Sequence, residues 1–275
     1  MVFQRMSKTL DIGVLGADGR MGGAIIRALA DTPKAQLSVA LTAPSSDNID
    51  KDASEVAGLK ASGVSLGSDV KSALNLCDVL IDFSHPQAAI DTVLAMHDTR
   101  CQTVVTGTTG YTDIEERALL EAAQTITLLK SGNFSLGVNL LEALVEQAAK
   151  ALQTGWDIEV LEMHHKHKID APSGTALMLG EAAARGRGVT LSDVRTPMRE
   201  GVSAARNDGD IGFAALRGGA IVGDHDVSLT SDLEMVTLSH RALDRSVFAK
   251  GAVTAALWAH DQDKGLYSMR DVLGI

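Results

Sequence analysis

The chain is poor in cysteine: Cys77 and Cys101 are its only two, at no motif spacing. That excludes a disulfide scaffold and favours a reducing compartment, so the expected location is cytoplasmic. Positive charge is also scarce, with 25 Lys and Arg against 35 Asp and Glu, for a formal net charge of −10. That balance argues against nucleic acid as a main partner. No apolar run approaches the length of a membrane span, so no membrane partner is expected. The stretch from Met1 to Thr9 lacks the apolar core of a signal peptide and reads as a short loose lead-in, with Met6 an alternative start. There is no repeat of 20–50 residues and no low-complexity segment. What is present is 45% hydrophobic and 22% charged over 275 residues, enough for one large globular domain or two modest ones.

Against this acidic background, His164, His165, Lys166, His167 and Lys168 stand together. A local basic cluster draws anions to one place while the remaining surface repels them. Asp170-Ala171-Pro172-Ser173-Gly174-Thr175 follows at once and reads as a turn entering a helix, with Pro172 at an early helical position and Ser173 as the cap. Free N–H groups at such a helix start form a carboxylate or phosphate site. Proton donors, ammonium groups and an anion cradle within fifteen residues point to acid-assisted chemistry on a small carboxylate. Metal binding is disfavoured: no His-Glu-x-x-His pattern occurs, and two nearby lysines repel a cation.

The first half alternates strands and helices. Leu10 to Leu15 is an apolar strand, followed by Gly16-Ala17-Asp18-Gly19-Arg20-Met21-Gly22 and a helical run over Ala24 to Ala30. Strand, glycine turn and helix are what a dinucleotide pyrophosphate needs. The spacing is Gly-x-x-Gly-x-x-Gly, with Asp18 where a middle glycine is common. The next strand, Leu37 to Leu41, should end in a ribose selector, an acid or an arginine; instead Thr42-Ala43-Pro44-Ser45-Ser46 follows. Val64 to Leu66, Asp78 to Phe83, Thr103 to Thr106 and Ile126 to Leu129 supply further strands. Ser84-His85-Pro86-Gln87 reads as a capping box, and Thr112 to Glu115 caps another helix. The pattern predicts a Rossmann-like, doubly wound parallel sheet. Gly16–Gly22, Gly107–Gly110 and Ser131–Phe134 should then meet at one edge, where such sheets bind ligands.

In the second half, Ser135 to Leu152 is a strongly patterned helix and Ile158 to His164 a strand feeding the basic stretch. Thr175 to Arg185 is helical, Gly186 to Gly209 a long polar loop, and Ile211 to Arg217, Asp224 to Thr230 and Glu234 to His240 are strands. An α+β domain with an open mixed sheet is expected. His225 and His240 read as ordinary strand-end histidines. Ser246 to His260 is helical and Gly265 to Ile275 a tail.

The run Glu162-x-His164-His165-x-x-Lys168-x-Asp170-Ala171-Pro172-Ser173-Gly174-Thr175-Ala176 resembles the signature of the dihydrodipicolinate reductase family, and the family's other motifs follow in order along nearly the whole chain. The resemblance implies reduction of a small cyclic dicarboxylate imine to tetrahydrodipicolinate by NADH or NADPH, in lysine and diaminopimelate biosynthesis. It implies His164 as acid/base and Lys168 as proton donor, with His165 touching substrate and Ser173, Gly174 and Thr175 around one of its carboxylates. Gly16, Ala17, Asp18, Gly19, Arg20, Met21 and Thr42 would hold the coenzyme, with Gly107, Thr108, Thr109, Ser131, Gly132, Asn133 and Phe134 on its nicotinamide side. The selector corner at Thr42-Ala43 departs from the family pattern, which leaves the choice of coenzyme open. The resemblance further implies a dinucleotide-binding domain of 1–135 and 245–275, a substrate and assembly domain of 136–244, and a homotetramer built through the open sheet; a closure is expected if the coenzyme and acid sites lie on separate domains, its extent left open. The alternatives are another nicotinamide oxidoreductase of a small carboxylate, a coenzyme-binding sensor, and a His-cluster metal hydrolase.

Overall fold

The computed structural model describes residues 9–196, 199, 201, 202 and 204–275. The expected lead-in and alternative start at Met6 lie outside them. The chain separates into two compact units, one running to Ser135 and joined by Ser246–Gly274, the other Leu136–Arg245.

The first unit contains β1 (Leu10–Leu15), α1 (Arg20–Ala30), β2 (Ala35–Leu41), α2 (Ala53–Val56), β3 (Leu66–Gly67), α3 (Val70–Ala73), β4 (Val79–Asp82), α4 (Pro86–Ala95), β5 (Thr103–Thr106), α5 (Asp113–Ala122) and β6 (Thr127–Lys130). The second contains α6 (Leu136–Ala151), β7 (Asp157–His164), α7 (Gly174–Arg187), α8 (Leu191–Val194), β8 (Ile211–Arg217), β9 (Asp224–Thr230) and β10 (Met235–Arg241). The chain then returns to the first unit with α9 (Ser246–Ala259), β11 (Gly265–Tyr267) and α10 (Met269–Leu273).

All seven strands of the first sheet run parallel, in the order β11-β6-β5-β4-β1-β2-β3. Parallel strands covered on both faces must be apolar throughout, and β4 and β5 are buried at every position. One core layer joins Ile12, Val14, Ile81 and Val105 to Ile25 of α1 and to the alanine-rich face of α9. The opposite layer joins Leu80, Val104 and Leu128 to Ile90 and Val93 of α4 and Leu119 of α5. Each fully buried branched side chain contributes about 1.5–3 kcal/mol. The order reverses at β1, between β2 and β4. Crevices for ligands form beyond the strand ends at such a point.

The second sheet has the order β10-β9-β7-β8, with β7 and β8 parallel and the other pairs antiparallel. Burial alternates strictly along β7 and β9, so one face packs on α6 and α7 and the other stays open. The apolar row Ile158 and Val160 of β7 continues into Glu162 and His164, two polar side chains on the packed face.

Four local expectations are corrected. His85, not Ser84, caps α4, its Nδ1 accepting from Ala88 N at 3.4 Å, while Ser84 Oγ donates to Asp82 at 2.5 Å. Pro172 precedes the cap of α7 and lies outside that helix. The expected loop from Gly186 begins inside α7 and carries α8. The expected C-terminal tail instead adds β11 to the sheet edge beside β6, followed by α10 with a capping box between Ser268 and Asp271. No helix among the described residues is long and apolar enough to cross a membrane.

Candidate active site

The first unit holds a candidate coenzyme site, which begins with the turn after β1. Gly16 has φ +79°, which favours glycine, and its N–H and that of Ala17 both donate to Leu41 O at 2.9 Å, stitching the turn to the end of β2. A Cβ on Gly22 would lie 2.2 Å from Gly16 O and 2.6 Å from Ala17 Cα, so only glycine lets α1 start so close to the strand. The α1 N-cap, Gly19, supplies no side-chain cap. A helix start without a cap leaves its amide hydrogens to an anion, as a dinucleotide pyrophosphate requires. Gly19 and Arg20 are exposed, whereas Ala17 is buried beneath them.

Phe83, at the end of β4, draws the other loops together. Its carbonyl packs under Gly16, its ring fills the space a Gly107 side chain would take, and it meets Phe134 at 5.4 Å between ring centroids. The turn after β1, the loop after β5 and the segment after β6 therefore meet at one edge. Beside Phe83, buried Asp82 accepts from Thr106 Oγ1 at 2.6 Å, Thr108 Oγ1 at 3.0 Å and Ser84. Thr108 is thereby fixed as loop scaffold, while Thr109 and Gly110 are exposed. Ser131 Oγ donates to Asn133 O at 2.6 Å, and Asn133 Oδ1 accepts from Ser135 N at 2.9 Å. Phe134 is buried, so this segment has backbone and not the Phe134 ring to offer a ligand. Thr42 is buried at the end of β2, near Asp18. These residues fit a dinucleotide.

The second unit holds a separate polar cluster centred on Glu162, which has no exposed surface. Its Oε2 accepts from His164 Nδ1 at 2.6 Å and Arg217 Nη1 at 2.7 Å; its Oε1 accepts from Arg217 Nη2 at 2.8 Å and Ser173 N at 3.1 Å. Burial works against the charge, but the hydrogen bonds from Arg217 and His164 outweigh it and hold the carboxyl below the usual glutamate value. A carboxylate only accepts, so Nδ1 of His164 carries hydrogen and Nε2 is the nitrogen that exchanges protons. Gly223 lies against that nitrogen: a Cβ there would stand 3.0 Å from Nε2.

Ser173 caps α7, its Oγ accepting from Ala176 N at 3.1 Å. The same Oγ pairs at 3.2 Å with Nε2 of His225, whose ring meets the His164 ring edge-on at 5.2 Å. His225 is buried, and its Nδ1 has no hydrogen-bond partner among the described residues. Burial, then the neighbouring His164, pushes its pKa down to about 4, so the ring is neutral near pH 7. It is no ordinary strand-end histidine: it lies within the site because residue 225 points to the packed face of β9. Lys168 Nζ binds both oxygens of Asp170, at 2.8 and 2.7 Å. His165 is partly exposed; burial, then Arg245, His167, His164 and Lys168 around it, hold its pKa below the usual value. Gly174 is exposed at the helix start.

The structure thus brings His164, Ser173 and the start of α7 together and adds Glu162, Arg217 and His225, which sequence reasoning passed over. Glu162 carried a signal: a carboxylate two residues before His164, in the apolar row of a strand, has to be paired. Arg217 carried none, because only the pairing of His164 opposite Arg217 in β7 and β8 brings it there.

A dinucleotide-binding sheet in one unit, and in the other a buried carboxylate–histidine pair beside a helix start, define a nicotinamide-dependent reductase. Family models described as dihydrodipicolinate reductase, N-terminus and C-terminus, match residues 10–134 and 137–273. The 4-hydroxy-tetrahydrodipicolinate reductase of Allorhizobium ampelinum is 51% identical over 95% of this chain and 97% of its own. That of Rhodopseudomonas palustris is 52% identical over 95% and 96%. The dipicolinate-bound dihydrodipicolinate reductase from Paenisporosarcina sp. TG-14 shares the fold, with a TM-score of 0.74, 20% identity and coverage of 94% of this chain and 97% of its own. The chain belongs to the dihydrodipicolinate reductase family.

Proposed function

We propose that this chain reduces 4-hydroxy-tetrahydrodipicolinate to tetrahydrodipicolinate with NADH or NADPH, a step of lysine and diaminopimelate biosynthesis. The net reaction replaces the ring hydroxyl by hydrogen and releases water. The observation that carries the reading is the 2.6 Å contact between Glu162 and His164 Nδ1, which leaves Nε2 to exchange a proton beside the start of α7.

The coenzyme, when bound at the turn Gly16–Gly22, supplies the hydride. The chain supplies orientation and protons. Amide hydrogens at Gly174 and Thr175 hold one substrate carboxylate, with Ser173 fixed beneath them and His165 at the rim. His164 exchanges the proton at Nε2; its ring is held in place by Glu162, which in turn is anchored by Arg217. Lys168 is the second donor, and Asp170 restrains its ammonium group until a substrate anion competes for it. The first unit is the coenzyme domain and the second the substrate domain. The open face of the second sheet presents Leu161, Met163, Leu216 and Met235, the last two exposed, which supports assembly of a homotetramer through that face. Both cysteines are buried and free, in keeping with a reducing cytoplasm.

The test is oxidation of NADH and NADPH by the purified chain, with substrate generated from pyruvate and aspartate semialdehyde by the preceding synthase. Oxidation that depends on the synthase is the expected result. No oxidation by a folded chain that binds either coenzyme would overturn the reading in favour of a sensor.

A further inference from the structure

The corner where a dinucleotide-binding sheet selects its coenzyme is built unusually. An acid about twenty residues beyond the glycine turn, at the end of the second strand, normally accepts the ribose 2′-hydroxyl, and a nearby arginine accommodates a 2′-phosphate. Here β2 ends at Leu41, and Thr42-Ala43-Pro44-Ser45-Ser46 offers neither.

The acid comes from the other side. Asp18, in the glycine turn, reaches the loop after β2: Ser46 Oγ donates to its Oδ2 at 2.5 Å, with the polar side chains of Thr42 and Asn48 nearby. Asn48 N donates to Ser46 Oγ at 3.1 Å, so the hydroxyl that fixes the carboxylate is itself fixed. Gly16 and Ala17, bonded to Leu41 O, hold the turn against the end of β2. Asp18 is half-buried at this junction, with Thr42 buried beneath it. Burial favours the neutral acid, but the Ser46 hydrogen bond, helped by the neighbouring polar groups of Thr42 and Asn48, outweighs it and keeps the carboxyl below the ordinary aspartate value. Two cations are nearby in the chain: Arg20, exposed at the start of α1, and Lys51, whose Nζ is bonded to Asn48 Oδ1 at 3.0 Å. Neither forms a pair with Asp18 among its hydrogen-bond partners, so the corner keeps its negative charge.

We infer that Asp18 is the coenzyme selector of this chain, accepting the adenosine 2′-hydroxyl of NADH and repelling the 2′-phosphate of NADPH. The inference rests on the reductase reading and adds the preference that reading leaves open. Its sequence mark is an acid moved from the end of the second strand into the glycine turn.

The test is equilibrium binding of NADH and NADPH to the full chain by calorimetry, with no substrate present. The wild type is expected to bind NADH about tenfold or more tighter, the equivalent of one charge-assisted hydrogen bond. Asp18→Asn keeps the shape and removes the charge; it should weaken NADH, strengthen NADPH and bring the two constants together. Ser46→Ala, which frees the carboxylate without neutralising it, should lower the ratio by a smaller factor, and it supplies the test if Asp18→Asn does not fold. A wild-type preference for NADPH would overturn the inference, as would a ratio unmoved by both substitutions. Failure to bind either coenzyme would overturn the reductase reading itself.

Discussion

Glutamine in place of Glu162 preserves shape and removes charge. The native carboxylate uses both oxygens: Oε2 takes His164 and one Arg217 nitrogen, and Oε1 takes the other Arg217 nitrogen and Ser173 N. A glutamine amide has one acceptor oxygen, so its NH2 group must face one of those donor pairs. Facing His164, it forces the ring to change tautomer or turn, and Nε2 is no longer the exchanging nitrogen. The lost charge-assisted hydrogen bond is about 1.5–3 kcal/mol, which corresponds to roughly 10–150-fold in turnover number. Arg217 also loses its counter-ion. Breaking a buried pair costs about 3–5 kcal/mol, and with the Arg217 side chain 21% exposed the lower end applies. The assay is steady-state turnover with synthase-generated substrate, alongside chemical denaturation and calorimetric coenzyme binding. Turnover should fall at least tenfold and stability by about 3 kcal/mol, with the coenzyme constant unchanged, because Glu162 belongs to the unit without the glycine turn. A folded Glu162→Gln enzyme with wild-type turnover would refute the argument that the carboxylate fixes the working nitrogen.

Three further outcomes are expected. The His225 pKa falls from 6.5 to about 4 on folding, so as pH drops below 6.5 the unfolded chain takes up a proton that the folded chain refuses. This contribution to stability is complete above pH 6.5 and declines down to about pH 4, by at most about 3 kcal/mol. Denaturation curves of His225→Gln should show a shallower decline across that window, and an unchanged slope would place the protons elsewhere. Gly22→Ala sets a methyl group 2.2 Å from Gly16 O; it should cost about 1–3 kcal/mol of stability and weaken coenzyme binding, whereas a wild-type melting temperature and dissociation constant would show that the turn has room. His164→Gln and Lys168→Met should each lower turnover by about 10²–10⁴ with coenzyme affinity retained, and intact turnover in either would remove that residue from the proton path.

The parts of the fold that could be read from the sequence are those held by long apolar patterns. β1 and β5 are runs covered on both faces of a parallel sheet, and their limits, Leu10–Leu15 and Thr103–Thr106, are those expected from the sequence. The glycine turn was legible because Gly16 and Gly22 meet steric demands no other residue satisfies. Thr112 and Glu115 form the expected capping box. The single-turn helices α2 and α3 were not legible, since each depends on the Asp52 or Asp69 cap and on tertiary packing and has too few residues for a period. β11 pairs only three residues with β6 and has no pattern of its own. His85 displaced Ser84 as cap because Asp82, buried at the strand end, takes the serine hydroxyl. In the site, the residues contiguous with the basic stretch were legible. Arg217 and His225 reach Glu162 and Ser173 through strand pairing, which composition and spacing do not encode.

The most direct test of the account follows the hydride. Coenzyme deuterated at both C4 hydrogens of its reduced nicotinamide is supplied to the chain with synthase-generated substrate, and the product is weighed by mass spectrometry. The account predicts a tetrahydrodipicolinate carrying a single deuterium, formed by the wild type and far more slowly by His164→Gln. A product without deuterium, or labelled product from His164→Gln at the wild-type rate, would contradict it.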